Sequence, residues 1–181
     1  KLVGTGAVGS AYQGWSVSLS ADGNTALVGG VIDKGGVGAA WVFTRSGGVW
    51  SQQGDKLVGT GAVGGARQGY SVSLSADGNT AIVGGWGGYF FTGSGWVFTR
   101  RGGVWSQQGD HLLAGGGGWW AQGSSVSLSA DGNTAMVGGR WGGGAWVFTR
   151  GGGVWTQQGD MLVGSGMTVG ASRFVSLSAD G

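Results

Sequence analysis

The stretch SVSLSADGNTALVGG occupies residues 16–30 and returns almost unchanged at residues 71–85 and 125–139. Its first half occurs a fourth time at residues 174–181, where Phe174 replaces the leading serine. The segments between the copies, such as WGGYFFTGSG and GGGGWWAQG, differ in every copy. The chain therefore combines a fixed element with variable insertions, and a repeat of this kind predicts an architecture of stacked units.

Aligning the copies on ADG divides residues 1–181, which we take as one repeat domain, into four units. The units are residues 1–55, 56–110 and 111–160, followed by a partial unit at residues 161–181. Each complete unit contains four pieces of strand length, in the order SVSLS, TALVGG, WVFTR and VWSQQ, with small changes between units. β-Branched and aromatic residues fill these pieces and glycine or Asp-Gly-Asn bounds them, so each piece is predicted to be a β-strand.

The four pieces predict an all-β fold of four-stranded antiparallel units, because no segment has a helical period with capping residues. Four strands per unit, at a period of about 40–55 residues, are typical of β-propeller blades. TALV and WVF are apolar on both faces, as expected of a sheet packed between two others. We therefore predict a β-propeller with three complete blades and a partial fourth. A β-solenoid is the alternative architecture, but its coils usually repeat at shorter periods.

Taken in order, G-x-S-V-x-L-S, T-A-L-V-G, A-W-V-F-T-R and V-W-x-Q-Q resemble the bacterial FG-GAP repeat, which is related to the propeller of integrin alpha subunits. The resemblance covers essentially the whole chain. It implies a propeller fold and a role in adhesion or ligand binding outside the cell. Two motifs name the family, Phe-Gly and Gly-Ala-Pro. In place of Phe-Gly this chain has Gln13-Gly14, Gln68-Gly69, Gln122-Gly123 and Ala171-Ser172. In place of Gly-Ala-Pro it has Gly29-Gly30-Val31, Gly84-Gly85-Trp86 and Gly138-Gly139-Arg140.

Strand parity places the fixed and the variable segments at opposite ends of each unit. In an antiparallel meander the connections alternate ends, so ADGN shares one end with the later turn SGG, RGG or GGG. The variable loop, residues 31–38 in the first unit, shares the other end with the connector to the next unit. Loops carried by a rigid scaffold are where binding residues usually lie. We therefore expect a ligand at the end that carries the variable segments.

The twenty aromatic residues fall into two groups. Large apolar side chains at repeated strand positions are normally buried, and nine aromatic residues recur in register in this way: Trp41, Phe43, Trp50, Trp96, Phe98, Trp105, Trp146, Phe148 and Trp155. The other eleven lie in or beside the variable segments: Tyr12, Trp15, Tyr70, Trp86, Tyr89, Phe90, Phe91, Trp119, Trp120, Trp141 and Phe174.

From the second group we select seven candidate ligand-binding residues: Trp15, Tyr70, Trp86, Tyr89, Trp119, Trp120 and Trp141. Exposed Trp and Tyr rings offer stacking faces for sugars or anchors for a protein partner. An alternative is that the rings fold back over the mouth of a central channel or pack against a neighbouring chain, since an exposed apolar patch indicates an interface without naming the partner.

The polar residues do not favour catalysis or a cofactor. The chain has no glutamate and no cysteine, and its one histidine, His111, occupies a repeat position otherwise filled by lysine or methionine, so we expect it in solvent. Seven of the eight aspartates recur with the repeat, and Asp-Gly-Asn is explained by the backbone conformation of tight turns. The remaining acid, Asp33, adjoins Lys34 and is expected in a surface pair. We expect no metal, because calcium needs six to eight oxygen ligands and each fixed turn supplies one Asp and one Asn.

These observations predict a non-enzymatic, extracellular recognition or adhesion module whose variable end binds a glycan or a protein. The alternative is a structural repeat protein whose loops and open blade ends build a larger extracellular assembly. The ten basic and eight acidic side chains are spread along the chain, so we expect no nucleic-acid partner. No apolar run is long enough to span a bilayer, so we expect no membrane insertion. The breaks inside repeats at both ends predict self-association or a longer parent chain.

Overall fold

The computed structural model describes residues 1–61, 64–87, 93–114, 121–140, 144–164 and 174–181. They form three four-stranded antiparallel sheets, in each of which the strands lie in chain order. Sheet I contains β1 (Gln13–Leu19), β2 (Thr25–Gly30), β3 (Ala39–Ser46) and β4 (Val49–Gln52). Sheet II contains β5 (Ser71–Leu74), β6 (Thr80–Gly85), β7 (Ser94–Arg101) and β8 (Val104–Gln107). Sheet III contains β9 (Gln122–Leu128), β10 (Thr134–Gly139), β11 (Ala145–Gly151) and β12 (Val154–Leu162).

The predicted all-β class and the four-stranded antiparallel units are confirmed. The described part of the chain has one helical turn, α1 (Asp33–Gly36), in the variable loop of the first unit. No helix among the described residues is long and apolar enough to cross a membrane.

The strand register aligns the apolar residues of each sheet. In sheet I, Val17 pairs with Val28, which in turn pairs with Trp41. All six residues of β2 are buried, and so are all six of β6, as expected for strands that are apolar on both faces. The second and third strands are therefore the most deeply packed part of sheets I and II.

Each Asp-Gly-Asn turn is closed by its own side chains. The carboxylate of Asp22 accepts hydrogen bonds from the Ser20 hydroxyl and from the backbone and side-chain N–H groups of Asn24. These bonds lower the pKa of Asp22 from 3.8 to about 2. The side-chain oxygen of Asn24 accepts a bond from Arg45 Nε, which ties the first turn to the second turn at the same end of the sheet. We call this end, which carries both conserved turns, the fixed end.

The same network lowers the pKa of the equivalent aspartates. Burial alone would raise the pKa of Asp77, but hydrogen bonds from Ser75 and Asn79, together with the charge of Arg100, lower it. Hydrogen bonds from Ser129 and Asn133 lower the pKa of Asp131. In each turn the ionised carboxylate is therefore part of the folded structure.

Neighbouring units are joined along their first strands. The hydroxyl oxygens of Ser18, Ser73 and Ser127 accept hydrogen bonds from the backbone N–H groups of Leu74, Leu128 and Leu177 in the next unit, at 3.0–3.1 Å. A backbone ladder runs parallel to these bonds, from Ala21 N–H to Ala76 O, from Ala76 N–H to Ala130 O, and from Ala130 N–H to Ala179 O. The serines of SVSLS thus bond the next unit.

Apolar side chains fill the space between consecutive sheets. One cluster joins Leu27 and Val42 of sheet I to residues of sheet II that include Trp96 and Phe98. A second joins sheet II to residues of sheet III that include Trp146. A large side chain buried in this way contributes about 1.5–3 kcal/mol. Two of the three core clusters therefore lie between sheets, and the third packs Trp41 and Phe43 of sheet I with Ala11 of its connector.

The connector before each sheet is fastened by a glutamine side chain. The amide of Gln68 accepts a hydrogen bond from Gly59 N–H at 2.6 Å and donates one to Gly59 O at 3.0 Å. Gln13 makes the same pair of bonds to Gly4, and Gln122 makes it to Ala114. These are the glutamines that stand where Phe-Gly was expected from the family resemblance. We call them the clamp glutamines.

The connector also covers the tryptophan of the third strand. Trp96 Nε1 donates a hydrogen bond to Thr60 O at 2.9 Å, beside the position at which Gln68 holds Gly59. A Cβ atom on Gly59 would collide with the Trp96 indole. The connector is therefore a packed part of each unit.

One expectation from the sequence is wrong, and a second holds only in part. Asp33 is not in a surface pair with Lys34; it is 1% exposed and forms an ion pair with Lys56, 2.5 Å away. It also accepts a hydrogen bond from Val8 N–H, so it ties two connectors together. His111 is only partly exposed, and its ring lies 6.0 Å from that of Trp96.

We predict that Gln68→Ala destabilises the fold by about 2–4 kcal/mol, because it leaves the buried N–H and C=O of Gly59 without their partner. Gln107→Ala is the matched control, since Gln107 bonds the neighbouring residue of the same connector, Thr60, at an exposed site. Its effect should stay under about 1 kcal/mol. Urea denaturation measures both, and equal losses would contradict the importance of the clamp.

We predict that acidification weakens the fold through the Asp-Gly-Asn turns. Because the pKa of Asp22 is lowered from 3.8 to about 2 on folding, its contribution is complete above pH 3.8 and is lost as the pH falls toward 2. Asp22→Asn should therefore flatten the dependence of unfolding free energy on pH in this range. Asp110→Asn, at an exposed aspartate outside these turns, is the control. Urea unfolding at a series of pH values gives the slopes, and equal slopes for the two variants would count against the network.

Candidate ligand-binding site

The candidate site lies at the end of the sheets opposite the fixed end, and we call this the variable end. It is built from three repeat positions, which we call columns. The first column precedes the clamp glutamine and contains Tyr12, Arg67 and Ala121. The second, at the start of the first strand, contains Trp15, Tyr70 and Ser124, and the third, after the second strand, contains Val31, Trp86 and Arg140. Each column has one backbone position per unit and a different side chain at each.

Three aromatic rings, one from the first unit and two from the second, form a row. The centroids of Trp15 and Tyr70 are 5.6 Å apart, with the ring planes tilted by 41°. Tyr70 and Trp86 are 5.8 Å apart and nearly perpendicular, at 81°. Both spacings are within the range of favourable aromatic pairs. Trp15 is 55% exposed, so the row presents an open ring at its first end.

Two arginines lie over the last ring of the row. The guanidinium carbon of Arg67 is 5.1 Å from the centroid of the Trp86 ring, and that of Arg140 is 5.4 Å from it. Both distances are typical of cation–π contacts. The row therefore runs from an exposed indole to a pair of positive charges.

The rings and arginines enclose a pocket of about 300 Å³. It is lined by Tyr12, Trp15, Val31, Ile32, Arg67, Tyr70, Trp86 and Arg140. A smaller cavity of about 90 Å³ adjoins it, lined by Tyr70, Ser124, Arg140 and Phe174. Tyr70 and Arg140 belong to both, so the two cavities form one concave surface.

The backbone of the first column has an unusual conformation that does not depend on the side chain. Tyr12, Arg67 and Ala121 have φ angles of 53°, 56° and 46°, in the left-handed region that non-glycine residues rarely occupy. Such a residue costs about 1–3 kcal/mol and persists when its surroundings fix it. The clamp glutamine is the next residue in each case, so the scaffold sets the position of these side chains.

The structure brings together three of the seven predicted site residues, Trp15, Tyr70 and Trp86. The other four, Tyr89, Trp119, Trp120 and Trp141, lie outside the described residues. Tyr12, Arg67 and Arg140 line the pocket but were not predicted. An alignment of the repeats could have identified the two arginines, because Arg67 has the repeat position of Tyr12 and Arg140 has that of Trp86.

The carboxylates of the fold lie elsewhere. Asp33 is buried against Lys56, and Asp22, Asp77 and Asp131 are bonded within the turns of the fixed end. In the described part of the chain no three His, Cys, Asp or Glu side chains lie close enough together to hold a metal ion. The pocket therefore offers aromatic rings, hydroxyl groups and guanidinium groups as its chemistry.

Comparison with solved structures finds similarity of fold. A candidate 6-phosphogluconolactonase from Bacteroides fragilis matches 81% of this chain with a TM-score of 0.58 and 16% identity. Hydrazine synthase from Kuenenia stuttgartiensis matches 96% of the chain with a TM-score of 0.56 and 14% identity, and Sqt1 from Saccharomyces cerevisiae matches 86% with a TM-score of 0.56 and 13% identity. The matched regions are 38%, 40% and 38% of those three chains, so this chain spans about two fifths of their length.

The structurally similar proteins have propeller-like folds. At these identities the similarity concerns the fold alone. No family model and no curated protein sequence matches the chain. The protein is thus an all-β chain of three four-stranded antiparallel sheets with propeller-like structural relatives.

Proposed function

We propose that the chain is a non-enzymatic, extracellular recognition module of the FG-GAP type that binds a glycan at its variable end. The observation that carries the proposal is the row of Trp15, Tyr70 and Trp86, which lines one pocket although the rings come from two units and two columns. The resemblance to FG-GAP repeats supports an extracellular, adhesive role. In this proposal the three sheets are blades of a β-propeller, and the last eight residues begin a fourth.

The contacts between units support the blade arrangement. The first strands of the three sheets are joined in sequence by the serine bonds and the alanine ladder, while the apolar faces of the second and third strands pack sheet on sheet. The strand of the partial unit continues the series, because Leu177 N–H bonds Ser127 at 3.0 Å. Radial stacking of four-stranded sheets is the general plan of propellers.

The shape of the pocket supports a glycan ligand. Small-molecule pockets begin at about 300 Å³, and the pocket here has that volume. Tilted and perpendicular rings give two walls against which the apolar C–H faces of a sugar can pack, while the tyrosine hydroxyl and the arginines serve its oxygen atoms. A protein partner would instead need about 800 Å² of contact surface on each side.

The chemistry of the pocket supports binding without catalysis. A catalytic site usually contains an acid–base pair with perturbed pKa values. The pocket lining contains no carboxylate or histidine among the residues described. The carboxylates with shifted pKa values, such as Asp22, stabilise turns at the other end of the sheets.

We predict that Trp15→Ala and Tyr70→Ala each reduce glycan binding by tenfold or more, because each removes a stacking wall of the pocket. An array of neutral and acidic glycans measures this with residues 1–181. Trp50→Ala is the matched control, since Trp50 is an aromatic residue at the fixed end with an arginine above it. Thermal unfolding of the variants verifies that they are folded. Absence of binding to any glycan, or equal loss in Trp50→Ala, would overturn the proposal.

A second candidate function, a repeat that builds assemblies, is supported by the exposed face of β1. Val17 and Leu19 are 68% and 60% exposed, whereas their equivalents in sheet III, Val126 and Leu128, are buried against sheet II. The partner we propose for this face is a second copy of the chain. Ser176 of that copy is exposed and is the repeat equivalent of Ser18 and Ser73. At the internal junctions these two serines accept hydrogen bonds from the backbone N–H of a leucine in the next unit.

We predict that Leu19→Lys reduces self-association, because it places a charge in the apolar part of this junction. Multi-angle light scattering at micromolar concentrations measures the mass of the wild type and the variant. Val104→Lys, at a residue 70% exposed on the outer strand β8, is the control. A wild-type chain that remains monomeric would contradict this second function.

A further inference from the structure

We propose that the ligand of the pocket is an acidic sugar whose carboxylate is bound by Arg67 and Arg140. This inference rests on the proposed function and specifies the chemical class of the glycan. The rings alone would accept any sugar with an apolar face. The arginines add a requirement for negative charge.

The charge of the pocket is not balanced by its own residues. Arg67 and Arg140 both line it, and no acidic residue does so among the residues described. The acid nearest in sequence to the lining residues, Asp33, is 1% exposed and paired with Lys56. Two positive groups near one ring repel each other, and an anion between them removes that repulsion. The pocket is therefore complementary to a negatively charged group.

The geometry of the two side chains suits one anion. Their guanidinium carbons lie 5.1 Å and 5.4 Å from the centroid of the same indole, and both side chains line the same pocket. Within the described chain, neither guanidinium has a hydrogen-bond partner on the protein. The planar fork of arginine matches the two oxygens of a carboxylate, which a lysine ammonium does not. A carboxylated sugar can thus place its ring on the aromatic row and its charge between the arginines.

The other arginines show how this pair differs. Arg45, Arg100 and Arg150 also lie over tryptophan rings, at 5.3–5.5 Å. Their Nε groups, however, are bonded to the asparagines of the fixed turns, and Arg100 and Arg150 also bond glutamines of the preceding unit. The guanidinium groups of those three arginines are therefore hydrogen-bonded to the scaffold. Arg67 and Arg140 occupy variable columns and face a cavity.

The experiment uses a glycan array that contains uronic-acid and sialic-acid oligosaccharides, the methyl esters of both, their neutral counterparts, and sulfated sugars. The methyl ester keeps the shape of the sugar and removes only its charge. We expect binding to the carboxylated sugars to be at least about tenfold tighter than to their esters, the effect of one charge-assisted hydrogen bond. Raising the salt concentration should weaken binding to the acids and leave binding to the esters unchanged.

Variants assign the effect to the two arginines. Arg67→Gln and Arg140→Gln should each remove the preference for the acid over the ester, while binding to the ester persists. Arg45→Gln is the matched control, because it removes a guanidinium that lies 5.5 Å from the Trp50 ring at the fixed end. The control should keep the full preference. Circular dichroism verifies that all three variants are folded.

The outcomes separate the two proposals. If esters or neutral sugars bind as tightly as the acids, glycan recognition stands and the requirement for a carboxylate is overturned. The same holds if the sulfated sugars alone bind, or if the arginine variants keep the preference. If no sugar binds, the proposed function itself fails and this inference fails with it.

Discussion

The side-chain amide of one glutamine in each unit supports both the core and the variable end of that unit. The side-chain amide of Gln68 donates one hydrogen bond to the backbone of Gly59 and accepts another from it. It thereby supplies the hydrogen bonds that a neighbouring strand would otherwise make with this glycine-rich connector. The connector held in this way covers the indole of Trp96. The amide also fixes where β5 begins, because the clamp glutamine directly precedes the bend into that strand. The two bonds therefore contribute both to the cover over the tryptophan and to the position at which the strand begins.

The columns of the pocket inherit their geometry from this clamp. The residue before a clamp glutamine has a left-handed backbone conformation whether it is tyrosine, arginine or alanine. The side chain therefore does not determine the backbone conformation at this position. The chemistry at the variable end can therefore change by substitution while the frame stays constant. In this chain the substitutions place aromatic rings in the first two units and arginines in the second and third. The result is a single concave surface with apolar and cationic parts.

Much of the fold could be predicted from the sequence, because strand pieces bounded by Asp-Gly-Asn or glycine repeat in a strict order. The opposition of fixed and variable ends followed from strand parity alone. The pocket was found only in part. Trp15, Tyr70 and Trp86 were selected as aromatic residues outside the register, but Arg67 and Arg140 were missed because they are neither clustered nor repeated in the sequence. The burial of Asp33 was missed for a related reason, since its partner Lys56 is 23 residues away and local spacing suggested Lys34.

The bonds between the first strands of neighbouring units use only groups that every unit contains: serine hydroxyls, backbone N–H groups and alanine carbonyls. Each unit is therefore interchangeable with its neighbour as far as these bonds are concerned. A gene that duplicates, deletes or exchanges one unit produces a chain whose junctions remain intact but whose columns are reordered. New combinations of rings and charges at the variable end can arise by recombination between nearly identical stretches of DNA, with no new junction to be evolved.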